Sequence, residues 1–284
     1  MIIKILYYQL IPIIQNINYI FLNILDIKNN LVYWATNVKK YFTWNQYIIK
    51  NSSPLYTSDC VYFANHREVM DFPIDAYLTC GKAAFISRYF ILFGAPFTGL
   101  LTLFSNSVFY FRRHKNINKS QFIIWCNTRL RNSDYKSLII YPEGTRRLSN
   151  DVTNIRDGGI MYSYEYKKPI QIIITKNKEY ILSVKTFTGQ NNVDCFTYIS
   201  KPLYPDNYVT YIDYRTSIVE EWNKCWKIVY ENEYTSDMCD LYKPIKYDIP
   251  VGTISHIRIF FMRFVFACLC YFVYHYFQSF CNFF

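Results

Sequence analysis

Between about residue 60 and residue 231 the chain alternates short, nearly continuous apolar runs with longer mixed stretches, and this alternation restricts the fold more than any other feature. An apolar run of strand length, bounded by polar turn residues, reads as a strand covered on both faces, and a succession of such runs separated by helical patterns is the sign of an α/β domain. The pattern predicts strands at 60–64, 83–87, 108–112, 137–141, 169–175, 180–187 and 194–199. It predicts helices at 71–79, 89–104, 119–132, 158–167 and 214–231. A chain of 284 residues suits one such domain, expected over 51–250 as a central mixed sheet flanked by helices, with appendages at both ends.

The appendages point to a membrane. Hydrophobic residues make up 51% of the chain and aromatic residues 20%, and the apolar residues gather at the two ends. Residues 1–25 are strongly apolar between Lys4 and Lys28, long enough to cross a bilayer, but Pro12 and the polar Gln9, Gln15, Asn16 and Asn18 suit a kinked or re-entrant helix equally. Leu31, Trp34, Val38, Tyr41, Phe42, Ile48 and Ile49 recur at helical spacing and predict an amphipathic helix lying in the interface, or one packed on the core. Residues 1–50 are therefore expected to form membrane-associated helices. Ile259 to Phe277 is nearly all apolar, so 251–284 is expected to hold a C-terminal anchor helix.

The net charge of +10 suits an anionic partner, whether an acidic membrane surface, a phosphorylated substrate or nucleic acid. Dispersed basic residues without a recognised binding motif exclude nucleic acid. Nine cysteines, with no CxxC pair, imply a reduced compartment and no zinc site.

Two constellations carry chemistry. The first, Asn65-His66-Arg67-Glu68-Val69-Met70-Asp71, directly follows an apolar strand. On one helix His66 and Asp71 would stand about 140° apart and could not meet. With His66 in a turn and Asp71 in the first helical turn behind it, the carboxylate can hold one ring nitrogen and leave the other free as a base. An alcohol attacks a thioester poorly at neutral pH until a neutral imidazole takes its proton, and a carboxylate partner fixes the tautomer. The other histidines, His114, His256 and His275, lack a carboxylate so placed. The second constellation is the strand Leu138–Tyr141 ending in Pro142-Glu143-Gly144-Thr145-Arg146. Gly144 admits a close backbone approach, Thr145 offers a hydroxyl and an amide, and Arg146 presents a fork suited to phosphate oxygens. Glu143 is placed to orient Arg146 or to bind a substrate hydroxyl.

Together these blocks resemble the glycerolipid acyltransferase family of the lysophosphatidate acyltransferase type, which carries an Asn-His-x4-Asp block followed by a Pro-Glu-Gly-Thr-Arg block. Phe109-Tyr110-Phe111-Arg112 matches a further family element, although Ser107 stands where glycine is usual. Gly158 precedes Pro169 at the family's usual interval, but Ile172 replaces a second proline. The resemblance covers about residues 55–200. More loosely, the region around Trp222 and Trp226 is similar to the eukaryotic branch that includes lysocardiolipin acyltransferases.

The resemblance implies His66 as general base, Asp71 as its partner, and Arg112, Glu143, Gly144, Thr145 and Arg146 as binders of the acceptor's glycerol phosphate; Lys82, from its place at the head of the apolar stretch that follows, is expected to assist phosphate binding. It implies acyl-CoA as co-substrate, a lysophospholipid acceptor, direct transfer without an acyl-enzyme, and no metal or bound cofactor. The expected reaction acylates the sn-2 hydroxyl of lysophosphatidic acid to give phosphatidic acid. The alternatives are lysocardiolipin or another lysophospholipid as acceptor, and an inactive lipid-binding protein on the same fold. Gly81 to Ser107, with its apolar stretches around Gly94, Pro96 and Gly99, is expected to line an acyl tunnel or to pack as two core helices. The expected location is the bilayer of the endoplasmic reticulum or another intracellular membrane, with the site facing the cytoplasm.

Overall fold

The computed structural model describes residues 30–89, 99, 102, 106–111, 118–244 and 271. Its elements run α1 (Asn30–Phe42), β1 (Asn45–Ile49), β2 (Val61–Ala64), α2 (Asp71–Leu78), β3 (Ala83–Arg88), β4 (Val108–Phe111), α3 (Lys119–Arg131), β5 (Ser137–Ile140), α4 (Asp157–Glu165), β6 (Ile170–Lys176), α5 (Lys178–Ile181), β7 (Asp194–Ile199), α6 (Tyr211–Tyr230) and β8 (Cys239–Leu241). The strands form one mixed sheet in the order β4-β3-β5-β2-β6-β7-β1-β8.

The middle of the sheet is parallel: β3 runs with β4 and β5, and β2 with β5 and β6. The β6–β7 and β1–β8 pairs are antiparallel. Every residue of β2 is buried, as is all of β6 up to Lys176. Parallel strands covered on both faces read as unbroken apolar runs, which is why these two were legible. On one flank α1 packs against α2, and elsewhere α6 lies on β6 and β7. Tyr214, Ile218, Trp222, Cys225, Trp226 and Val229 follow helical spacing on α6 and are all buried. Thr210 caps this helix by accepting from the Asp213 N–H at 3.2 Å.

The α/β expectation holds, with three corrections. The helix expected across 31–49 stops at Phe42, where Thr43 takes a left-handed φ of 50°, and Ile48 and Ile49 belong to β1. Leu31, Trp34, Val38 and Phe42 are buried in the core, so α1 is a packed helix rather than an interfacial one. The strand expected at 180–187 is instead α5 followed by a narrow loop closed by backbone hydrogen bonds between Ser183 and Thr188. Asn177, with a left-handed φ of 75°, turns the chain off β6 and breaks the run. The short edge strand β8 carried no apolar run to reveal it.

Among the described residues no helix is long and apolar enough to cross a membrane. The apolar segment 1–25 and all of 251–284 but Tyr271 lie outside the described residues, as does most of the stretch expected to line an acyl tunnel.

Candidate active site

Parallel strands present their carboxyl ends along one edge of a sheet, and in open α/β sheets that edge is where ligands bind. Here β2 delivers Asn65 and His66 to it, and the adjacent β5 delivers Tyr141 through Arg146. The register pairs Val61 with Leu138 and Phe63 with Ile140. Each pair is offset by the same 77 positions that separate His66 from Glu143, and the two meet: the His66 N–H donates to Glu143 Oε2 at 2.7 Å. Strand register alone thus brings the two sequence blocks together. The Arg147 N–H closes the junction on the His66 carbonyl at 3.0 Å.

His66 and Asp71 are paired as the spacing predicts, His66 in the turn and Asp71 opening α2. Their side chains meet through Nδ1 and Oδ2 at 2.7 Å. The same carboxylate oxygen accepts the N–H groups of Arg67 at 2.5 Å and Glu68 at 3.0 Å. Asp71 is fully buried, whereas the His66 side chain retains 17% exposure, so one end of the imidazole is fixed while the ring still reaches solvent. Tyr141 stacks on the ring with centroids 4.3 Å apart and planes 14° from parallel, and Phe72 meets it edge-on. Burial works to raise the Asp71 pKa, but the ammonium of Lys178 and then the hydrogen bond from His66 outweigh it and hold the carboxyl below its usual range.

The two carboxyls beside Asp71 behave differently. Burial pushes Glu143 up to about 8, against the partial compensation of the His66 N–H. Burial also pushes Asp75 up to about 7, opposed chiefly by Lys178, with the nearby Asp71 charge adding to the rise. The Tyr141 hydroxyl donates to Asp75 at 2.9 Å, which ties the ring under His66 to α2.

Gly144, Thr145 and Arg146 form an exposed turn next to this cluster. Gly144 has a left-handed φ of 72°, and a Cβ there would lie 2.5 Å from the Arg156 guanidine, so the position admits only glycine without rearrangement. Arg146 is 47% exposed and is steered by Glu68, whose Oε2 accepts from its guanidinium at 3.0 Å. Glu68 is itself buried and accepts from the Ser183 hydroxyl and the Lys185 N–H. The expectation that Glu143 orients Arg146 is therefore corrected: Glu68 does so, and Glu143 braces the His66 backbone.

Arg112 lies outside the described residues. Lys82 precedes β3 and so stands at the opposite edge of the sheet from His66, which removes it as a phosphate contact. The far end of β3 instead supplies Arg88, whose guanidinium comes within 3.5 Å of the Gly144 carbonyl oxygen. Its signal in the sequence was a lone cation ending an apolar run. Arg67 was also passed over: it is buried, and its guanidinium donates to the Leu148 and Ser149 carbonyls and to Asn150 and Glu179, tying the first block to the segment after the second.

A buried carboxylate holding an imidazole at one strand end, with an arginine turn at the next, fits proton-assisted acyl transfer to a hydroxyl. Residues 46–175 match the family model described as Acyltransferase. That match spans a little under half of the chain, and it holds both the Asn-His-x4-Asp and the Pro-Glu-Gly-Thr-Arg blocks. No curated protein matches by sequence. Among solved structures, the 1-acyl-sn-glycerophosphate (LPA) acyltransferase PlsC from Thermotoga maritima shares the fold, with a TM-score of 0.59 and 16% identity over 81% of this chain and 97% of that one.

Proposed function

We propose that the chain transfers a fatty acyl group from acyl-CoA to the sn-2 hydroxyl of 1-acylglycerol-3-phosphate, giving phosphatidic acid. The observation that carries the reading is the 2.7 Å contact of His66 Nδ1 with buried Asp71, on the strand end adjacent to the Arg146 turn. With its Nδ1–H given to Asp71, His66 offers a free Nε2 as general base. Nε2 takes the proton of the acceptor hydroxyl as that oxygen attacks the thioester carbonyl. The tetrahedral intermediate collapses to the new ester and expels the CoA thiolate, which recovers the proton from His66. Neither motif contains a serine or cysteine to form an acyl-enzyme, so transfer is direct.

Arg146, with Gly144 and Thr145 in its turn and Arg112 beyond β4, serves the acceptor's phosphate. The acceptor and the acyl tail both partition into lipid, which gives the apolar termini their use: they hold the domain to an intracellular membrane with the site on the cytoplasmic face. The resemblance of the motifs to lysophosphatidate acyltransferases supports this acceptor.

The test is transfer from labelled acyl-CoA by purified protein to lysophosphatidic acid, set beside lysocardiolipin and lysophosphatidylcholine. Preference for lysophosphatidic acid, abolished by His66→Ala, is the expected result. Preference for lysocardiolipin would keep the chemistry and change the acceptor. No transfer to any of the three would refute the reading.

A further inference from the structure

Beneath the His66–Asp71 pair lies a cation that no motif announces. Lys178 opens α5, directly after the left-handed Asn177, and its side chain is fully buried. Its ammonium donates to the Asn65 carbonyl at 2.7 Å and stands 3.4 Å from Asp71 Oδ1 and 3.3 Å from Asp75 Oδ2. Asp71 thus has its two oxygens divided: Oδ2 serves His66 and the backbone, while Oδ1 faces Lys178.

We infer that Lys178 is a positioning residue for the proposed transfer: its ammonium, wedged between Asp71, Asp75 and the Asn65 carbonyl, keeps Asp71 ionised and aimed so that His66 Nδ1 stays protonated and Nε2 stays free. The inference rests on the general-base reading of His66.

Elementary electrostatics requires such a group. Asp71, Asp75 and Glu143 are three buried carboxyls; burial pushes Asp75 and Glu143 toward their neutral forms, and Asp71 stays charged beside them only with a counter-ion. The nearby guanidinium of Arg67 is engaged by Glu179 at 2.5 Å and by loop carbonyls, and it packs over the Tyr230 ring of α6. Among the described residues, Lys178 is the cation in contact with both α2 carboxyls. Its own burial works to lower its pKa, but the charges of Asp71 and then Asp75 outweigh this and keep it protonated. The Asn65 bond adds a geometric effect, because Asn65 is also fixed by its side chain to the Thr175 backbone, so the strand end carrying His66 is held from two sides.

The test combines kinetics with a direct view of the ring. In Lys178→Met, Asp71 should take up a proton in the working range, so the acidic limb of the kcat profile should move upward by about 1–3 pH units. At neutral pH kcat should fall by at least about 10-fold with the acceptor KM little changed. Ring 15N shifts of His66 should show a loss of the Nδ1–H tautomer. Lys178→Met/Asp75→Asn removes one charge of each sign and is expected to fold if the single variant does not, with the same displaced limb and lost tautomer bias. In the unaltered protein, the 13C shift of the Asp71 carboxyl should report an ionised group from about pH 5 to 8.

A folded variant with the parent limb and tautomer, or an Asp71 that protonates between about pH 5 and 8 in the parent, would overturn the inference. If His66→Ala keeps its activity, the base reading fails instead, and the tautomer and carboxyl measurements still decide what Lys178 does.

Discussion

The two strand ends that form the site are built in opposite ways. At the end of β2, Asp71 is fully buried and one of its oxygens accepts from His66, Arg67 and Glu68 at once. At the end of β5, Arg146 is nearly half exposed and is held by the single carboxylate of Glu68. A base must be held within a fraction of an ångström of the proton it removes, and interlocking buried hydrogen bonds supply that. A phosphate grip must be open enough to admit its ligand, and an exposed guanidinium on a glycine turn supplies that instead. The contrast predicts that damage to the His66–Asp71 pair acts on the chemical step and damage to the Arg146 grip acts on binding.

The largest effect should come from His66→Ala, which is expected to lower kcat by about 10² to 10⁴. Steady-state kinetics at saturating donor will show it, and an equal loss expressed in KM would erase the contrast. Arg146→Ala should raise the acceptor KM by about 10- to 100-fold, the loss of a charge-assisted hydrogen bond to phosphate, with kcat changed less than about threefold. Glu68→Gln keeps the contacts of Ser183 and Lys185 but removes the charge that steers Arg146, so a smaller rise in KM, about 2- to 10-fold, is expected. If it lowered kcat instead, Glu68 would belong with the base.

A separate effect concerns stability rather than turnover. Glu143 and Asp75 have pKa values raised to about 8 and about 7 in the folded chain. A group whose folded pKa lies above its unfolded value gives stability that is complete below the unfolded pKa and is lost as pH rises through the folded one. Unfolding free energy should therefore fall between about pH 5 and 8, and Glu143→Gln should flatten the fall by about 1–3 kcal/mol. Chemical denaturation at several pH values will measure it, and an unchanged slope would place the titration elsewhere.

The same contrast explains what could be read from the chain alone. His66, Asp71 and the glycine turn were legible because the proposed chemistry demands particular residue types at particular spacing, and β2, β5 and β6 because burial on both faces leaves a continuous apolar run. Lys178, Glu68, Arg67 and Arg88 were not, because each acts through a partner distant in sequence that only the fold brings near: Glu68 lies 78 residues from Arg146 and Lys178 lies 113 from Asn65. A charged residue beside an apolar run looks like the start of a surface loop until its counter-charges are placed. The misreading of α5 as a strand has the same source, since Ile181 and Leu182 fill the core as strand residues would while the left-handed Asn177 redirects the backbone.

The most direct test of the central claim is the single-turnover rate of acyl transfer from acyl-CoA to lysophosphatidic acid, measured with both substrates saturating, for the parent protein, His66→Ala and Arg146→Ala. A rate collapsed in His66→Ala and nearly preserved in Arg146→Ala is the predicted result. A His66→Ala rate within a fewfold of the parent would contradict the assignment of this imidazole as the base.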